Sequence, residues 1–118
     1  MSTTASDADL SAALRPVFQR FERFYLGRSS REVEIGRCGN LIVFHCQGSL
    51  TDAESRLLQA DPTPDGREMV AQLFRKMVRQ AQESFTGAVE STLSVTVRSL
   101  FCDLDPEAGE SVIVLAIE

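Results

Sequence analysis

The sequence predicts an α+β fold with element order α-β-β-α-α-β-β, in which a four-stranded, mainly antiparallel sheet packs on a long helix. Three observations carry this. Apolar residues recur at three- and four-residue spacing over residues 10–25 and 69–93, the period of an amphipathic helix. Two pairs of β-rich runs, 31–46 and 95–117, are each interrupted by a short glycine-containing turn. The 118-residue length suits one core, so a single domain over 7–118 is expected behind a flexible N-terminus of residues 1–6.

In the first helix Ser6 is the expected cap, acidic Asp7 and Asp9 suit the first turn, and Leu10, Leu14, Val17, Phe18, Phe21, Phe24 and Tyr25 form the stripe. Pro16 should kink or divide this helix, and Gly27 should end it. Val33 and Ile35 alternate with Glu32 and Glu34, and Gly39-Asn40 supplies a tight turn into 41–46, which is apolar on both faces. In this hairpin Cys38 lies opposite Leu41 and Cys46 opposite Val33, so the two thiols do not meet.

Thr51 and Glu54 have capping-box spacing and start a short helix running to about Ala60. Thr63 and Pro64 then begin one long helix over about 64–92, whose stripe passes Thr86-Gly87 without losing phase. A strand follows in which Val95, Val97, Ser99 and Phe101 alternate with Thr96, Arg98, Leu100 and Cys102. The turn Asp105–Gly109 leads into the nearly all-apolar strand 111–117. The two strands apolar on both faces should lie side by side in the centre of the sheet. One helical layer covers one face, so the N-terminal helix or a twofold partner must cover the other, and a homodimer is expected.

A net charge of −5 argues against nucleic acid as a partner, because backbone binding needs clustered Lys and Arg. No apolar run is long enough to insert in a membrane, and the N-terminus has no signal-peptide pattern. A cytoplasmic location is expected. Three cysteines without C-x-x-C spacing make a disulfide framework or zinc site a poor reading; Cys38 or Cys102 as a redox sensor is the alternative to inert thiols.

Candidate chemistry is sparse, and no catalytic, metal or cofactor set emerges. His45, the sole histidine, lies on an apolar strand without a nucleophile pattern and reads as structural. Asp103, Asp105, Glu107 and Glu110 lack the calcium-loop order and read as turn chemistry. Gly27, Arg28 and Ser29 form a candidate anion-binding loop, against the simpler reading of helix termination. Arg75, Lys76 and Arg79 lie off the long helix's stripe and form a candidate partner-binding patch, against a solvated face.

The ordered set of a Gly27-Arg28 loop, a hairpin, Gly48-Ser49-Leu50-Thr51-Asp52-Ala53-Glu54, a Gly66-Arg67 helix start and the Asp103–Gly109 turn resembles the MpsC-like domain family. That family is named for a component of a sodium-translocating membrane-potential-generating system. The resemblance covers roughly residues 10–118 and implies a small accessory domain linked to cation-coupled bicarbonate uptake. This chain departs from the family's Gly-[Arg/Lys]-Gly-Pro loop by carrying Ser29-Ser30 where Gly-Pro is expected. Two functions follow as expectations. One is a non-enzymatic accessory or regulatory protein with a protein partner, membrane-associated or not, or a small-anion ligand. The other is a small-molecule sensor or enzyme with a pocket between the sheet and the long helix, using His45 or Arg28.

Overall fold

Helix α1 spans Asp7–Phe21 in a computed structural model that describes residues 7–118. The expected flexible stretch 1–6 and the Ser6 cap lie outside the described residues. Pro16 does not divide α1, which continues through it. The change of geometry comes later, where Glu22–Leu26 form a single π turn closed by Gly27 at φ +63°. A π turn holds more residues than an α turn, so the stripe rotates. Glu22 and Leu26 turn inward, while Phe24 and Tyr25, expected on the stripe, stand 69% and 48% exposed.

Strands β1 (Glu32–Cys38) and β2 (Leu41–Gln47) form the first hairpin around Gly39 at φ +60°. Its register sets Cys38 against Leu41 and Val33 against Cys46, as the turn predicted. Helix α2 is Asp52–Ala60, with both hydrogen bonds of the Thr51–Glu54 capping box in place. The expected long helix runs in two segments, α3 (Pro64–Gln80) and α4 (Gln82–Leu93), joined at Ala81 (φ −105°, ψ 12°). Ala81 N–H still donates to Met77 O and Phe85 N–H to Ala81 O, so the break costs the stripe no phase. No helix breaker stands there; α3 packs on β3 while α4 packs chiefly on α1, and the joint accommodates both.

Strands β3 (Val97–Asp105) and β4 (Glu110–Ile117) complete an antiparallel sheet of order β1-β2-β4-β3. The two strands apolar on both faces are the central neighbours, as expected. The alternation expected in β3 fails at a bulge: Val97 and Ser99 pair with the consecutive residues Ile117 and Ala116, leaving Arg98 outside the register. One inserted residue exchanges the faces. Leu100 and Leu104 therefore point into the core and Phe101 out, 57% exposed.

All helices among the described residues cover one face of the sheet. There Phe18 stacks on Phe44 with centroids 5.1 Å apart, and Phe21 on Phe85 at 4.3 Å. Leu14, Ile42, Val70, Val78, Ile113 and Leu115 close the core around them. No helix among the described residues is long and apolar enough to cross a membrane.

Candidate functional site

The Gly27-Arg28 loop turns its arginine inward. Gly27, in the left-handed region, reverses the chain after the π turn, and Arg28 enters the space between α2 and α3. Its guanidinium donates to both carboxylate oxygens of Glu54 at 3.0 and 2.8 Å. It also donates to Ser49 O at 2.8 Å and Leu26 O at 3.3 Å, and lies 5.3 Å from the Phe74 ring centroid. Both side chains are about 95% buried by their 3% and 5% exposures. Glu54 meanwhile receives the Thr51 N–H at 3.0 Å, so one carboxylate serves cap and ion pair together. The loop expected to offer Arg28 to an anion instead spends it on the fold. Gly27 and Ser29 remain on the surface without it.

Beside this pair the π turn brings in Glu22, 3% exposed, whose carboxylate accepts the Ser30 N–H at 3.1 Å and the Ser30 hydroxyl. A hydroxyl chain continues from Ser30 to Ser49 at 3.1 Å and on to Ser111 at 2.9 Å. Burial raises the Glu22 pKa, and the Ser30 hydrogen bonds and the Arg28 charge offset part of that rise. Burial, with the Glu22 charge nearby, pushes the Cys46 thiol up to about 11, so Cys46 is a poor nucleophile at neutral pH. Every buried side-chain polar atom among the described residues has a partner.

Sequence reasoning reached Arg28 and Glu54 separately and did not join them, and it missed Glu22 and Ser111 altogether. Helical spacing puts Glu22 outside the apolar stripe; only the π turn carries it in.

The basic patch on α3 divides. Arg75 bridges Asp103 at 2.9 Å and Glu68, hydrogen bonds that raise its pKa, and Arg79 donates to Gln82 at 3.1 Å. Lys76 is exposed on the same helix. Between α3 and the β3–β4 turn lies an open cleft of about 460 Å³, the position expected of a pocket between sheet and long helix. Arg67–Glu107 and Arg75–Asp103 pairs span it, and Arg75 also holds Glu68, so both arginines of the cleft are already paired within it. The acidic turn behaves as a turn: Asp105 accepts the Glu107 N–H at 3.0 Å, and Gly109 takes φ +66°.

The sheet face turned away from the helices carries four cross-strand rows. They are Cys38–Leu41–Ala116–Ser99, Gly36–Val43–Val114–Phe101, Glu34–His45–Val112–Asp103 and Glu32–Gln47–Glu110–Asp105. Leu41, Val43, Val112 and Val114 are half-buried with no layer upon them among the described residues, and Phe101 borders them. His45 Nε2 meets Glu110 at 2.8 Å, while Glu34 lies 3.9 Å from Nδ1. This polar end opens on a cavity of about 270 Å³ shared with Asp103 and Asp105.

No curated protein and no solved structure matches the chain significantly. The family model described as "Na+-translocating membrane potential-generating system (MpsC)" matches residues 6–118. With nearly its whole length matched, and with two of the motifs that suggested the resemblance meeting in the Arg28–Glu54 pair, the chain belongs to the MpsC family.

Proposed function

We propose that this protein is a non-enzymatic accessory or regulatory component of a Na+-translocating, membrane-potential-generating system, and that it acts by binding a protein partner. The observation that carries this is the sheet face left bare by the described residues: two central strands are apolar on both sides, yet the described helices cover only one. Antiparallel sheets tolerate one solvated face when it is polar, and here its middle is not. The family description supplies the setting, and coupling to ion or inorganic-carbon uptake is part of the proposal. The internal use of Arg28 favours a protein partner over a small anion at residues 27–29.

Affinity purification from detergent-solubilised cells of the native host tests the reading. A stoichiometric membrane-protein partner recovered across growth conditions is expected. Recovery of the bait alone, from both membrane and soluble fractions, overturns it. A bicarbonate- or phosphate-dependent rise in melting temperature would instead favour the small-anion form of the proposal.

A further inference from the structure

The outward face of the sheet is charged as well as apolar. Its four rows hold Glu32, Glu34, Asp103, Asp105 and Glu110, and no Lys or Arg. Asp103 at the β3 edge is shared with Arg75 of α3 and Glu110 with His45, which leaves Glu32, Glu34 and Asp105 as the carboxylates without an Arg or His within 3 Å among the described residues. The Asp7 carboxylate adds to them, lying 3.5 Å from the point a Cβ on Gly36 would occupy. The carboxylates are not scattered. Glu32 and Glu34 stand on the β1 side, Asp103 and Asp105 on the β3 side, and the strip Leu41, Val43, Val112, Val114 runs between them.

We infer that this face is the docking site for an amphipathic helix bearing Lys or Arg, contributed by the protein partner; the inference rests on the partner-binding reading above. Shape and charge agree. Strands of seven to nine residues present a floor roughly 23–30 Å long at about 3.3 Å per residue. Four strands about 4.8 Å apart make it about 14 Å wide between the outer strands, enough for one helix about 10 Å across. Laid along β2 and β4, such a helix places its apolar face on the valines and its flanks over the two acidic margins. A second copy of this chain fits less well. A twofold axis along the strands sets Glu34 over Asp103 and Glu32 over Asp105, bringing like charges together. An axis across the strands buries the carboxylates of one copy on the apolar rows of the other. Segments where membrane proteins enter the cytoplasm are enriched in Lys and Arg, which suits the family's setting.

The test uses the full chain and a fluorescent helical peptide of Leu and Lys, roughly 14 residues or about 21 Å long, with a Leu and Glu peptide of the same pattern as control. Saturable, salt-sensitive binding of the Leu/Lys peptide is expected, with little binding of the Leu/Glu peptide. Glu34→Arg, at a side chain 78% exposed, and Phe101→Ser should each weaken binding about tenfold or more. Glu83→Arg on the helical side should leave it unchanged. Equal binding of both peptides, or full binding by Glu34→Arg and Phe101→Ser, overturns the inference. So does a wild-type dimer that Phe101→Ser converts to monomer, since a second copy then holds the face. If the native partner is captured equally by wild type and Phe101→Ser, this inference fails while the partner-binding reading stands.

Discussion

Arg28 and Glu54, 26 positions apart, meet in a buried two-bond ion pair that ties the end of the first helical segment to the start of α2. Removing one partner of such a pair leaves an uncompensated buried charge, which costs about 3–5 kcal/mol. Arg28→Ala and Glu54→Ala should each lower the urea midpoint accordingly, and Glu54→Ala slightly more because the Thr51 cap goes with it. The double replacement Arg28→Met, Glu54→Leu should cost clearly less than the two single losses added together.

Ser30 supplies Glu22 with both an N–H and a hydroxyl. Ser30→Pro, which restores the family's loop residue, removes both donors and should lower stability by about 2–3 kcal/mol in chemical denaturation. Ser30→Ala removes only the hydroxyl and should cost about 1–2 kcal/mol.

Glu22 also has a predictable effect of pH. Its folded pKa is raised, chiefly by burial, so across the interval above its ordinary value the folded chain holds more proton than the unfolded one. Stability contributed by this group is therefore full below the unfolded pKa and is lost as pH rises through the folded pKa. The stability of wild type relative to Glu22→Gln should fall as pH is raised from about 4 towards 7, as read by paired denaturant melts. A flat difference across that range would contradict the assignment.

Two glycines should respond in opposite ways. A Cβ on Gly66, in the first turn of α3, would collide with the carbonyl oxygen of Asp61. Gly66→Ala should therefore cost about 2 kcal/mol or more. Gly87 lies inside α4 with open space around its Cβ position. Gly87→Ala should raise stability by about 0.5–1 kcal/mol, seen as a higher melting temperature.

The elements and their order were legible because they rest on local periodicity and turn chemistry. Gly39 and the Thr51–Glu54 box are decided by residues within a few positions of one another. Even the central pairing of β2 with β4 follows from two runs apolar on both faces. What escaped were three places where one residue shifts phase or direction. The π turn buried Glu22 and exposed Phe24, the bulge at Arg98 turned Phe101 outward, and Ala81 divided the long helix. None carries a local marker, since Phe, Arg and Ala are ordinary residues in helix or strand. Long-range packing sets all three. The Arg28–Glu54 contact escaped for the same reason: each partner had a sufficient local explanation, one as part of a helix end and the other as a cap.

The distribution of thiols has a practical consequence. Cys46 is sealed in the core with a thiol pushed up to about 11, and Cys102 is half-buried with its pKa raised, chiefly by burial. Cys38 alone is exposed, at the margin of the bare sheet face in the row it shares with Leu41. Brief maleimide treatment of the unmodified chain should thus attach one dye at one known place. The molecule carries its own reporter, positioned to register any occupant that settles on the sheet.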